Sequence, residues 1–152
     1  MIRALIFTAT AALATAPLAV AQPTTQNACT PNIDGATTLP ADSFTPTVCQ
    51  GGQWQTVDLP APASDRWVSF GNALTLHGQA MQNPGMLAGS WTGTPIAAGG
   101  QCTSVQQTVI TPGTLSSPLT AQGQPDAPLT FQVAPTAFTV NLTGNCLWVR
   151  HA

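Results

Sequence analysis

Two histidines, His77 and His151, are the residues of this chain best suited to act as a general base near neutral pH. A serine hydrolase would need His77 together with Asp58 or Asp65 and a nucleophilic serine. The serines considered for that role are Ser64, Ser69 and Ser90. None lies in a Gly-x-Ser-x-Gly sequence, and the nearest segment, residues 89–93, reads Gly-Ser-Trp-Thr-Gly. We therefore expect no enzymatic activity, and a hydrolase remains the least favoured alternative.

Carboxylate pairs are the second kind of catalytic site considered, because glycoside cleavage requires two facing carboxyl groups. The chain has five aspartates and no glutamate. Asp58 and Asp65 flank the turn at residues 59–64 and are the two that could approach each other. Aspartates beside turns commonly hydrogen-bond the local backbone, so we expect a structural role for both.

Four cysteines could form disulfides or bind a metal: Cys29, Cys49, Cys102 and Cys146. All four follow residues 1–21, which have the features of an export signal, and exported proteins fold in an oxidising compartment. An even number of cysteines in that setting predicts two disulfides. A zinc site built from four cysteines requires closely spaced pairs, which are absent, so we expect no metal and no cofactor. Of the three possible pairings we favour Cys29–Cys49 and Cys102–Cys146, since neighbours in sequence close first.

Three tryptophans, Trp54, Trp67 and Trp91, lie among small or polar neighbours and are the candidate ligand-binding residues. An exposed indole presents a flat face to a sugar ring, and nearby amides and hydroxyls supply hydrogen bonds. A carbohydrate-binding module would therefore have at least two exposed, coplanar tryptophans, with Trp91 the best candidate for exposure. The alternative is that each tryptophan packs in the core or covers a disulfide, as is common in β-sandwiches.

A short module surrounds the first pair of cysteines. The sequence from Ala28-Cys29-Thr30-Pro31 to Cys49-Gln50-Gly51-Gly52-Gln53-Trp54 resembles the Cys…Cys-x-x-Gly-x-Trp modules of bacterial surface-appendage proteins, such as minor pilin tips and phage tail proteins. The resemblance covers residues 28–57, about a fifth of the chain. It implies a disulfide-tied hairpin with glycine in the turn and tryptophan over the bridge, and a role in display or binding.

The chain is nearly free of charge, with three arginines, no lysine and 5% charged residues. After residue 21 the only cations are Arg66 and Arg150, which are too few for the phosphate contacts that nucleic-acid binding requires. The same scarcity excludes electrostatic attachment to anionic lipid. The partners that we expect are a glycan or another envelope protein.

The first 21 residues have the features of an export signal. Arg3 precedes an apolar run over residues 4–20, and Ala19-Val20-Ala21 matches the small-x-small cleavage pattern. The run is short for a bilayer span and is interrupted by threonine and proline. We predict a cleaved signal peptide over residues 1–21, no membrane span after cleavage, and a secreted or periplasmic location.

Short segments of alternating apolar and polar residues recur from residue 49 onward, separated by glycine and proline. They are residues 53–59, 66–70, 73–81, 89–94, 103–110, 129–134 and 137–143. Period-two alternation predicts strands, and this density of glycine and proline disfavours helices. We predict an all-β fold, an antiparallel β-sandwich or small β-barrel of about 7–8 strands with two disulfides. This domain covers residues 49–152 and follows an extended, disulfide-tied segment over residues 22–48.

Two local predictions concern the C-terminal half. Gly144-Asn145 is predicted to form the two-residue turn of a hairpin, with Leu142 opposite Leu147. Residues 111–128, rich in proline and glycine, are predicted to form a long surface connection.

The leading functional hypothesis is an exported, non-enzymatic β-domain with a binding or structural role, and the alternatives are a carbohydrate-binding module, a protein-binding inhibitor-type domain and a hydrolase.

Overall fold

The computed structural model describes residues 28–40 and 43–151, so the predicted signal peptide lies outside the described residues. One turn of 3₁₀ helix, Pro31–Ile33, accompanies twelve strands in this part of the chain. The strands are β1 Thr37–Thr38, β2 Thr47–Gln50, β3 Gln53–Thr56, β4 Arg66–Ser69, β5 Leu74–His77, β6 Gly89–Pro95, β7 Thr103–Thr111, β8 Thr114–Leu115, β9 Leu119–Gln122, β10 Leu129–Val133, β11 Ala137–Thr143 and β12 Cys146–Arg150. The all-β prediction is confirmed. Over these residues no helix has the length and hydropathy needed to cross a membrane.

The strands form two sheets that are not closed into a barrel. Sheet A has the order β10-β6-β12-β4-β1-β2-β3, and sheet B has the order β5-β11-β7, with β8 and β9 both pairing along the far side of β7. Pairing is antiparallel except between β1 and β4. The sandwich is therefore the correct one of the two predicted architectures, and it contains more strands than predicted, two of them only two residues long.

The predicted alternation is directly visible in the strands of the core. In β10 the side chains of Leu129, Phe131 and Val133 are buried, while Thr130 and Gln132 are exposed. A strand directs successive side chains to opposite faces, so one apolar face of each sheet covers the other. The same pattern recurs in β5, β6 and β11.

Trp148 lies at the centre of the core. Its ring packs edge to face against Phe131, with centroids 5.9 Å apart, and its indole N–H donates to the Ser69 hydroxyl at 2.9 Å. The Ser69 hydroxyl in turn donates to the carbonyl of Gly144 at 2.6 Å. Gly93 leaves the space that the ring occupies, because a Cβ atom there would lie 2.3 Å from the indole. This contact explains a glycine in the middle of β6.

The predicted C-terminal hairpin is wrong, because β11 belongs to sheet B and β12 to sheet A. Cys146 and Trp148 are the buried residues of β12, whereas Leu147 is only half-buried. The chain therefore crosses from one sheet to the other at Gly144, whose φ of 102° suits glycine. Burial of the large indole decides which face of β12 is internal, and a hairpin register would have turned that face outward.

Residues 111–128 are only partly the surface connection that we predicted. The segment forms β8 and β9, which together line the edge of β7. Pro118, between the two short strands, interrupts the edge because proline has no N–H to donate. The proline-rich composition therefore indicated an interrupted edge strand rather than a loop throughout.

Both predicted disulfides are confirmed, Cys29–Cys49 and Cys102–Cys146. The first joins the N-terminal segment to β2, and the second joins the residue before β7 in sheet B to β12 in sheet A. Intramolecular disulfides persist in oxidising compartments, which indicates an extracellular type of environment for this chain.

Candidate functional site

The N-terminal segment covers part of the outer face of sheet A. Ile33, in the 3₁₀ turn, is buried in one cluster with Val68 of β4 and the Cys29–Cys49 disulfide. The turn closes through a hydrogen bond from the Ile33 N–H to the Thr30 carbonyl at 3.0 Å. Two backbone bonds then dock the segment on β2, from the Gly35 N–H to the Cys49 carbonyl and from the Cys49 N–H to the Ala36 carbonyl.

The hairpin of β2 and β3 is fixed to this segment. Gly51 and Gly52 both have positive φ, 58° and 82°, as required in a two-residue hairpin turn. The carboxylate of Asp34 accepts a hydrogen bond from the Gly51 N–H at 3.0 Å. The disulfide, the turn and this contact therefore hold residues 28–40 and 43–57 as one unit, called here the N-terminal module.

A groove lies between the N-terminal module and the neighbouring end of sheet A. Its volume is about 300 Å³, which is at the lower end of the range for small-molecule sites. Eight residues line it: Ala28, Thr30, Asn32, Ile33, Phe70, Ile96, Ala97 and Asn145. The half-buried Phe70 and Ile96 supply the larger apolar surfaces, Ile33 lies buried at the base, and none of the eight side chains is charged.

Three polar side chains give the groove its hydrogen-bonding groups. The Thr30 hydroxyl donates to the side-chain oxygen of Asn32, which orients that amide. Asn145 is held in place by its own carbonyl, which accepts from the Ile96 N–H at 2.9 Å. Hydroxyl and amide groups beside apolar side chains suit a ligand that is uncharged and has both polar and apolar faces.

Trp54 is half-buried beside this groove and is the only one of the three predicted ligand-binding tryptophans with substantial exposure. It lies opposite Cys49 in the β2–β3 ladder and packs against the cluster that contains the disulfide. Its ring contacts Phe70, a groove residue, edge to face at a centroid distance of 6.1 Å. Trp54 thus supports one wall of the groove through Phe70.

Trp67 and Trp91 are 3% and 0% exposed, so the predicted exposure of Trp91 is wrong. Both indole N–H groups donate to carbonyls of the loop at residues 78–88, Trp67 to Gly85 at 3.0 Å and Trp91 to Leu87 at 2.9 Å. These two rings close one end of the sandwich, and they cannot form a coplanar sugar-binding platform.

Trp91 was predicted to be exposed because its neighbours Ser90 and Thr92 are small and polar, but these two residues lie on the opposite face of β6 from the indole. Thr92 points outward, where its hydroxyl is 3.1 Å from that of Thr130. A strand with one polar face is expected to bury the residue between two polar ones. Alternation was therefore a better guide to Trp91 than the polarity of its immediate neighbours.

The two histidines lie on different sheets. His77 is exposed at the end of β5, opposite Thr139 of β11, and His151 Nε2 lies 2.7 Å from the Thr92 hydroxyl on sheet A. Within residues 28–40 and 43–151, neither histidine side chain is hydrogen-bonded to the side chain of an aspartate or a serine; only the backbone N–H of His151 meets a serine, at the Ser90 carbonyl. Asp65 instead forms an ion pair with Arg150 at 3.3 Å, and Asp58 is exposed.

Cys29, Asp34 and Cys49 are close enough together to resemble a metal-binding group. Both sulfur atoms are joined in the disulfide, so they offer no thiolate to a metal ion. Two cysteine thiolates and the Asp34 carboxylate would be free to bind a metal ion only if this disulfide were reduced.

Most of the groove residues stand in no sequence pattern that indicates binding. Asn32, Ile33, Ile96 and Asn145 lie in turns and at strand ends, and Asn145 had been assigned only to a turn. Their one shared signal is position, since each lies within four residues of a cysteine or of a strand end. Comparison with protein-family models, with curated proteins and with solved structures finds no match for this chain.

Proposed function

We propose that this chain is an exported, non-enzymatic β-sandwich whose N-terminal module binds an uncharged ligand, with a neutral glycan as the leading class. The observation that carries the proposal is the groove of about 300 Å³ with apolar walls, amide and hydroxyl groups, and no charged lining residue. Export is supported by the signal-like residues 1–21 together with two disulfides.

If the ligand is a carbohydrate, its binding site under this proposal is the groove and not the three tryptophans named from the sequence. A platform of several tryptophans is replaced by Phe70, with Trp54 behind it, as the aromatic surface. Asn32 and Asn145 then supply the hydrogen bonds to sugar hydroxyls.

Binding of the disulfide-intact protein to a panel of neutral and charged oligosaccharides tests the proposal. The Asn145→Ala variant is expected to weaken binding of a neutral glycan by about tenfold, because it removes one hydrogen-bonding group of the groove. The matched control is Asn141→Ala, an asparagine on the outer face of sheet B, which should leave affinity unchanged. Affinity is also expected to be nearly independent of salt, since no ion pair contributes. Equal losses in both variants, or binding of anionic glycans alone, would contradict the proposal.

A protein partner is the second candidate, favoured by two exposed apolar side chains. Phe44 is 95% exposed and Leu59 is 63% exposed. A hydrogen bond from the Val57 N–H to the Pro46 carbonyl brings their segments together at the open end of the β2–β3 hairpin. If a protein is the ligand, Phe44→Ser should abolish its capture while Asn145→Ala leaves it intact.

A further inference from the structure

Strand β10 forms an edge of sheet A and has a neighbouring strand of that sheet, β6, on one side only. The His151 N–H donates to the Ser90 carbonyl at 2.8 Å, so the backbone groups of Ser90 point toward the β12 side of β6. Because this direction alternates along an antiparallel strand, the even-numbered residues of β6 form their backbone hydrogen bonds with β12 and the odd-numbered residues form theirs with β10. Odd-numbered residues of β10 lie opposite odd-numbered residues of β6, as in Phe131 opposite Trp91, so the odd-numbered residues of β10 form the backbone hydrogen bonds with β6. The backbone groups of Gln132 and Ala134 therefore point away from the sheet, where a further strand would lie.

Gln106, from β7 of the opposite sheet, occupies that position. Its side chain is 6% exposed, and its Nε2 donates to the Gln132 carbonyl at 2.7 Å. The Ala134 N–H donates to its Oε1 at 3.1 Å. A single side-chain amide thus makes the two bonds that the peptide groups of a neighbouring strand would make.

The sequence of β10 is suited to pairing with a copy of itself. Residues 129–133 read Leu-Thr-Phe-Gln-Val, with high strand propensity and no charge, and proline stands at 128 and 135. Edge strands are usually protected by charged residues, lysine above all, but this chain has no lysine. The two prolines limit the pairing segment at its ends, and between them the protection is provided by Gln106.

We propose that Gln106 masks the edge of β10, and that this edge is a surface through which a second copy of the chain pairs when the amide is removed. The partner is a second copy because the segment is uncharged and its outward groups are those of a strand. This proposal is independent of the ligand-binding groove, which lies between the N-terminal module and the end of sheet A and is not lined by β10 or Gln106.

The experiment replaces the amide and measures self-association. The Gln106→Leu variant removes both hydrogen bonds and replaces the amide with an apolar side chain of similar size. Its matched control is Gln107→Leu, the next residue, whose side chain is on the outer face of sheet B opposite Thr139. Light scattering over a concentration series should show dimers or larger species for Gln106→Leu, and a monomer for Gln107→Leu and the unmodified protein. At dilutions where Gln106→Leu is monomeric, hydrogen exchange at its Ala134 amide should be about tenfold faster than in the unmodified protein, and pairing at higher concentration should slow that exchange again.

A rescue variant separates pairing through β10 from general exposure of the core. Thr130→Lys places a charge on an exposed position of the edge strand and should return Gln106→Leu to a monomer. A folded Gln106→Leu that remains monomeric overturns the proposal. So does self-association that Thr130→Lys leaves unchanged, or that Gln107→Leu causes equally.

A second measurement covers the case in which Gln106→Leu does not fold. In the unmodified protein the Ala134 amide should exchange as slowly as the amides within β6. Exchange at the rate of an exposed loop amide would show that the Gln106 bond does not close the edge, and would also overturn the proposal.

Discussion

The N-terminal module and the two-sheet core (residues 66–150) are stabilised in different ways. The module's cluster has five buried residues, two of which are the cysteines of its disulfide. The core cluster has fourteen buried residues, including three tryptophans, and its disulfide joins two separate sheets. The module thus depends on a covalent bond and turn contacts, while the core depends on apolar burial.

This difference explains why the candidate site lies where the module meets the end of sheet A. A residue that fills the core is constrained by close packing and is not available to a ligand. The disulfide holds Thr30 and Asn32 in place without requiring that they be buried, so they can line a groove. The comparison leads to four predictions about stability, beginning with the largest expected effect.

Trp148→Ala should lower the free energy of unfolding by about 3–5 kcal/mol, the usual cost of a large cavity in a core. The ring is fully buried and its N–H is bonded to Ser69. Trp54→Ala, in the half-buried position of the module, should cost less than half as much. Urea denaturation of both variants provides the measurement, and equal costs would show that the module and the core are not stabilised differently.

Removing the core disulfide should also destabilise the protein more than removing the module disulfide, here because of loop-closure entropy in the unfolded chain. The two cysteines are separated by 44 residues in Cys102–Cys146 and by 20 in Cys29–Cys49. Loop-closure entropy then predicts losses of about 4.0 and about 3.3 kcal/mol for the paired alanine variants. Thermal and urea unfolding measure both. A larger loss from the shorter loop would indicate that Cys29–Cys49 also holds native contacts that the module cannot form without it.

Gly93→Ala should destabilise the protein by about 1–3 kcal/mol through overpacking, because the new Cβ atom meets the Trp148 ring. The module offers a control in Gly51→Ala, where no atom lies within 4 Å and only the positive φ is costly, at about 1 kcal/mol. Denaturant midpoints would compare them. A Gly93→Ala variant as stable as the unmodified protein would mean that the Trp148 ring moves easily, contrary to a closely packed core.

The smallest effect is expected at the turn contact of the module. Asp34→Ala removes the acceptor of the Gly51 N–H and should cost about 0.5–1.5 kcal/mol, whereas Asp34→Asn keeps an acceptor and should cost less. Asp65→Asn, at the residue before β4, should cost under about 1 kcal/mol because Asp65 is 67% exposed in its ion pair with Arg150. The unfolding free energies of all three variants test this order.

Several strands were predictable because their signal is local. The intervals predicted for β4, β6, β7, β10 and β11 agree with the observed strands to within one or two residues. Both disulfide pairings were also correct, since each closes the shorter available loop. The groove was not predictable, because Asn32 and Asn145 are far apart in sequence and neither stands in a pattern typical of binding.

The sequence by itself determined the class of this protein: an all-β chain with two disulfides, nearly without charge. Period-two alternation is a property of neighbouring residues, so it can be recognised without knowing which strands pair. Only the tertiary structure decided that β11 and β12 lie in different sheets, that Trp91 is buried, and that Gln106 completes the edge of β10. Each of these depends on contacts between segments distant in sequence, where the burial of one large ring or the bonding of one amide selects the partner.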